Sequence, residues 1–225
     1  MKKIITCLLT LSMMFMFSAT AFASDFSGNA ESELSNISDK IVTAVNDVYS
    51  DKNISITAED INYDSAFKIY VDTNVFKLST NVAGEIENAL ENGNYIYLLP
   101  IDTVNGTVVV NFQKGLPLSE NAKAILSEEE QQEVLDSAGK WVISSLALYK
   151  NGNSNYDYEK KLSSIIDEIP ADTILVGGLP IFQDVVALIP NSDGVIEEIV
   201  PVTATAYDEN LVLSLIHISE PTRPY

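Results

Sequence analysis

Between residues 24 and 212 the chain contains no histidine, no arginine and no cysteine. The one histidine (His217) and the one arginine (Arg223) lie near the C-terminus, and the one cysteine (Cys7) lies near the N-terminus. That removes the usual general base at neutral pH, the imidazole and thiolate metal ligands, the thiolate nucleophile and the bidentate clamp for phosphate. What remains is the chemistry of Asp, Glu, Lys, Ser, Thr and Tyr, a palette on which carboxylate-pair glycosidases and Ser–Lys acylases work. Asp72, Asp102 and Asp184 each fall at the end of an expected strand, so one rim of a sheet could gather three carboxylates. Turn chemistry explains strand-end aspartates equally well.

The other candidate constellations are weaker. Ser65–Lys68 and Ser137–Lys140 both match S-x-x-K, in which the amine activates the hydroxyl across one helical face. The first falls on an expected strand, where positions three apart face opposite ways; the second falls on an expected helix, but no K-T-G follows it. Neither is assigned a catalytic role. Asn151, Asn153, Asn155, Asp157 and Glu159 alternate as calcium ligands do, yet the EF-hand loop needs Gly and Glu where this chain has Tyr156 and Leu162. A solvated loop is expected there, and no metal or other cofactor is implied. Glu197 and Glu198 are neighbours on a strand and face apart. Tyr70, Tyr95 and Tyr97 could form an aromatic binding face, and core packing explains them as well.

These side chains must be positioned by elements that the apolar pattern marks. Thr173–Leu179, Asp184–Ile189 and Val195–Thr203 are β-branched runs punctuated by Gly177-Gly178, Leu179-Pro180 and a turn at Asn191–Gly194, which predicts three strands. Ser65–Val71 alternates as a half-buried strand. Asn94–Ile101 is apolar on both faces, as an interior strand is, and Asn105-Gly106 turns it into Thr107–Lys114, with Val108, Val110 and Phe112 inward. Leu34, Ile37, Ile41, Val45 and Val48 form one helical stripe. Val82, Ile86 and Leu90 form another, with Asn81 at its cap. Ser119 caps a short helix. Ser127 and Glu130 form a capping box that opens the longest one, expected to run to Tyr149 with Trp141 as its core anchor. Tyr158–Ile169 is a last helix before Pro170. The order predicts an α+β fold: an antiparallel sheet of about five or six strands with helices packed mainly on one face.

Met1-Lys2-Lys3, the apolar run Ile4–Phe17 and Ala21-Phe22-Ala23 have the layout of a bacterial secretory signal peptide over residues 1–23. Cys7 lies inside it, so the mature chain is expected to lack disulfides. No other stretch is long and apolar enough to span a membrane, so the expected location is secreted, extracellular or cell-surface, with no membrane insertion after leader cleavage. At the other end, Leu213–Arg223 (LSLIHISEPTR) resembles a translated sequencing-library adapter. Residues 213–225 are therefore set aside as a non-native tail, and 24–212 are expected to form a single α+β domain, truncated at its C-terminal end.

Composition narrows the partner. With 46% hydrophobic and 20% charged residues the chain is one that folds. Residues 24–212 hold ten lysines against 31 acids, a formal charge of −21 within a chain of −19. That balance opposes nucleic acid and anionic membrane surfaces. The sequence therefore points to a secreted, non-catalytic binding or interaction domain for a protein or small-molecule ligand, the N-terminal part of a longer surface protein. The alternative is an extracellular carboxylate-dependent hydrolase built on Asp72, Asp102 and Asp184.

Overall fold

The computed structural model describes residues 25–91, 93–178, 185–202 and 213–214. Residues 1–23, expected to be a signal peptide, with Cys7, the carboxylate Asp184, and His217 and Arg223 lie outside the described residues. The strands are β1 (Phe67–Val71), β2 (Asn94–Thr103), β3 (Gly106–Lys114), β4 (Trp141–Lys150), β5 (Ile174–Val176), β6 (Val186–Pro190), β7 (Ile196–Pro201) and the two-residue β8 (Leu213–Ser214). They form one sheet in the order β4-β3-β2-β1-β5-β6-β7-β8. Every neighbouring pair is antiparallel except β1 and β5, which run parallel. The fold is α+β and mostly antiparallel, as expected, with more strands than the five or six anticipated. Pairing of β8 with Glu198 and Ile199 of β7 uses backbone groups alone, which an open sheet edge offers to any sequence.

The helices with buried residues are α1 (Ala30–Leu34), α2 (Ser38–Tyr49), α3 (Ala83–Leu90) and, after α4 (Glu120–Ile125) and α5 (Glu128–Ser137), α6 (Tyr158–Ser163). Ala30, Leu34, Ile41 and Val45 of α1 and α2 pack on Tyr97, Leu99 and Ile101 of β2 and on Val108, Val110 and Phe112 of β3. On the same face of the sheet, Ala83, Ile86 and Leu90 of α3 cover Tyr70 of β1, Val176 of β5 and Leu188 of β6. The opposite face buries Phe67, Ile69, Leu175 and Ala187 beneath Phe26 and Leu162 of α6. Alternation along each strand supplies both layers. Val48, the last residue of the predicted stripe, is instead 55% exposed. Neither α4 nor α5 buries any residue.

One element differs in kind from the expectation. The capping box at Ser127 and Glu130 forms, but the helix it opens ends at Ser137, and Trp141–Lys150 is strand β4. Gly139, at φ 72°, breaks the helix. Strand β4 is bulged: Asn111 pairs with Ser145 and Phe112 with Ile143, which leaves Ser144 as the extra residue. Trp141, Ile143, Leu146 and Leu148 all pack on the α1–α2 layer. The helical spacing comes instead from Trp141, Val142, Leu146 and Tyr149, and of these only Trp141 and Leu146 pack on that layer. Trp141 is a core-facing residue as predicted, on a strand.

The β2–β3 hairpin forms as its Asn105-Gly106 signal requires. Gly106 sits at φ 141°, and a Cβ there would lie 2.2 Å from the Tyr149 carbonyl oxygen of β4. Glycine is set here by the approach of the third strand as much as by the turn. The second turn also holds: Asn191 Oδ1 accepts from the Asp193 and Val195 amides, and Gly194 stands at φ 76°.

Candidate functional site

The three aspartates do not form one rim. Val71 pairs with Asn94, so Asp72, at φ 56°, stands beyond the Asn94 end of β2. Asp102 pairs with Thr107 near the other end. Eight positions at about 3.3 Å each put the two roughly 26 Å apart. Asp184 lies outside the described residues. The hydrolase alternative loses the convergence that motivated it.

Asp102 does line a surface groove. A cavity of about 440 Å³ runs past Asn53, Ile56, Asp60, Asp102 and Val104. It meets a second, of about 270 Å³, lined by Asp60, Asn62, Asp102, Tyr156, Asp157 and Glu159 among others. Asp60 and Asp102 belong to both. Four carboxylates thus face one groove, and neither lining contains a lysine. The end of β2 brings Asp102, a 3-10 turn at Ala58–Asp60 brings Asp60, and the start of α6 brings Asp157 and Glu159.

Three of the four carry hydrogen bonds that fix the backbone around them. Tyr156 Oη donates to Thr107 Oγ1 at 2.9 Å, and Thr107 Oγ1 donates to Asp102 Oδ1 at 2.7 Å. Asp60 Oδ2 accepts from the Thr57 amide and hydroxyl, which hold its carboxyl below the ordinary range. Asp157 Oδ1 accepts from the Lys160 amide as the helix cap. The calcium-like loop is used in the same way: Asn151 Nδ2 donates to the Val104 carbonyl and Asn153 Oδ1 accepts from the Asn155 amide. Among the described residues, no group of three His, Cys, Asp or Glu side chains is placed to hold a metal ion. Ser137 and Lys140 flank a turn, and Ser65 and Lys68 do not share a helix.

A second polar centre escaped the sequence. The Glu33 carboxylate of α1 accepts from Tyr95 Oη at 2.8 and 2.9 Å, from Tyr97 Oη at 3.2 Å and from Trp141 Nε1 at 3.0 Å. The Lys68 and Lys114 ammoniums lie 4.5 and 4.8 Å from the Tyr95 ring centre, within cation–π range. The tyrosines do cluster, with Tyr70–Tyr95 and Tyr95–Tyr97 ring centres 6.0 and 5.6 Å apart. Tyr97 is fully buried and Tyr70 is 4% exposed, so the cluster is packed interior. Glu33 joins α1 to β2 and β4 from more than sixty residues away. Placing Trp141 on a helix hid the only geometry that brings its indole to Glu33.

Burial first, and the Glu33 charge next, push the Tyr97 hydroxyl far above its ordinary 10; Tyr95 moves the same way for the same reasons. Below pH 10 these tyrosines are protonated whether the chain is folded or not, and their contribution to stability is complete. Above pH 10 the unfolded chain releases protons that the folded one keeps, so stability falls as pH rises. The expected slope is about 1.4 kcal/mol per pH unit for Tyr97, plus a smaller, solvent-screened part from half-buried Tyr95. Urea midpoints from about pH 8 to about pH 11 check this. Tyr97→Phe should flatten the slope, and an unchanged slope would contradict the assignment.

No helix among the described residues is long and apolar enough to cross a membrane. No protein-family model, curated protein or solved structure matches the chain.

Proposed function

We propose that this chain is a secreted, non-catalytic binding domain that takes a cationic ligand in the groove at Asp102. The observation that carries the proposal is the groove lining: Asp60, Asp102, Asp157 and Glu159 with no lysine among them. Walls of one charge sign concentrate counter-charge, and a ligand rich in N–H donors can satisfy the carboxylate oxygens that the backbone leaves open. The bonds already made by Asp60, Asp102 and Asp157 hold the groove in shape before any ligand arrives, which lowers the ordering cost of binding. The leader-like residues 1–23 support export.

A carboxylate hydrolase would need a proton donor whose pKa is raised, and Asp60 moves the other way. The discriminating experiment titrates the protein with a blocked tetralysine peptide by calorimetry. It also incubates the protein with oligosaccharide, ester and peptide substrates. Binding that weakens about tenfold in Asp102→Asn/Glu159→Gln, and weakens with added salt, is expected. Turnover that disappears in Asp102→Asn would overturn the non-catalytic reading.

A further inference from the structure

A third polar centre lies apart from the groove, where β1 changes neighbours. The Lys68 amide donates to the Phe26 carbonyl at 2.8 Å, while Tyr70, two residues on, stands opposite Val176 of β5. Phe26 and Gly28 on one side and the start of β5 on the other border a cavity of about 50 Å³, which Lys68, Tyr70, Asp25 and Glu87 of α3 also line. It shares no residue with the groove. One water needs about 10–15 Å³, so the space suits several waters or the head group of one small ligand.

The polar groups of this notch are unmatched. Tyr70 is 4% exposed, yet its Oη is buried without a hydrogen-bond partner, a state that costs free energy and that most buried hydroxyls avoid. No described carboxylate pairs with the Lys68 ammonium, which lies over the Tyr70 ring at 4.9 Å and the Tyr95 ring at 4.5 Å. Gly28, at φ 53°, passes so close that a Cβ there would lie 3.1 Å from Lys68 Cδ, so the lysine stem is confined. An ammonium at that height over a phenol ring stands roughly 5–6 Å from the hydroxyl, a span that one carboxylate bridges with hydrogen bonds of ordinary length. The acids are open as well. No described lysine pairs with the Glu87 carboxylate, and Asp25 uses Oδ1 alone, on the Ser27 amide and hydroxyl.

We infer that this notch binds the head group of a small zwitterion, an α-amino acid. Its carboxylate accepts from Lys68 Nζ and Tyr70 Oη, and its ammonium faces Glu87 and Oδ2 of Asp25. Both ligand charges are then met, and the buried hydroxyl gains its acceptor. A plain anion fits less well, because it meets two carboxylates and a chain of net charge −19; a plain cation meets the Lys68 ammonium. The volume holds little beyond the head group, so the side chain stays outside and the notch selects the class of ligand. This goes beyond the groove and stands or falls apart from it.

The test follows the backbone amide signals of the isotope-labelled full chain by NMR during titration with glycine. Signals of residues 25–28, 68–70 and 173–176 should move. Acetate and glycinamide, which each lack one of the two charges, should bind at least about tenfold more weakly. Tyr70→Phe should weaken glycine about tenfold and, because the hydroxyl has no partner to lose, should melt no lower than the wild type. Glycine binding unchanged in Tyr70→Phe would overturn the inference, as would signals that stay still at about 50 mM glycine. Acetate binding as tightly as glycine would mark an adventitious anion site and overturn it too. A Tyr70→Phe protein that melts lower would do the same, since the hydroxyl would then have a water partner in the free chain. Glycine binding should survive in Asp102→Asn/Glu159→Gln; its loss there would place the amino acid in the groove and strike the notch.

Discussion

Replacing Glu33 with alanine is expected to destabilise the protein by about 3–5 kcal/mol. Three donors lose their acceptor at once: Tyr95 Oη, Tyr97 Oη and Trp141 Nε1. A buried donor left without a partner costs about 1–3 kcal/mol. Tyr97 is fully buried and bears the whole of that cost, while half-buried Tyr95 and Trp141 recover part of it through water. Glu33→Gln keeps one acceptor oxygen but turns an amide donor toward two donors, so its loss should be intermediate. Urea unfolding followed by the emission of Trp141, the only tryptophan, reads both variants. Stability within 1 kcal/mol of the wild type in Glu33→Ala would show that the carboxylate is incidental.

Gly106→Ala should cost more than about 3 kcal/mol or prevent folding. The new Cβ would meet the Tyr149 carbonyl at 2.2 Å, and that oxygen is backbone, held in the β3–β4 ladder. Relief requires moving β4 or opening the hairpin, and φ 141° adds strain for any L-side chain. Gly84 of α3 is the matched control. Nothing lies within 4 Å of its would-be Cβ, so Gly84→Ala should be neutral or stabilising by up to about 1 kcal/mol. Thermal melts of the two variants decide the matter, and similar melting temperatures would refute the contact argument.

The parts of the fold that the sequence showed are those governed by local chemistry. Asn105-Gly106, Asn191–Gly194 and the Ser127/Glu130 box each act within four residues, and each forms. The inward set Val108, Val110 and Phe112 was legible because strand alternation there is unbroken. Strand β4 was not, since Trp141, Val142, Leu146 and Tyr149 share one face of a helix but not one face of the bulged strand. A bulge is a property of two strands, and one strand's residues do not announce it. The groove was half legible. Asp102 stood out as a strand-end carboxylate, but its companions reach it from two separate segments, Asp60 from one and Asp157 and Glu159 from the other. The expected convergence of Asp72 with Asp102 failed because a residue's end of a strand is legible locally, whereas the direction of its neighbour is not.

The single parallel joint between β1 and β5 has a kinetic consequence. On one side of it, β2, β3 and β4 are linked in chain order by antiparallel ladders; on the other, so are β5, β6 and β7. Each half can zip from its own turns. The joint itself is made of Tyr70 opposite Val176 and the Gly177 amide on the Tyr70 carbonyl, residues about 100 positions apart. Closing a loop of that length costs about 4 kcal/mol of chain entropy beyond a constant, and contacts of such high contact order form slowly. The halves should therefore mature separately and meet last at Tyr70, so the seam at the centre of the finished sheet is the last part to assemble.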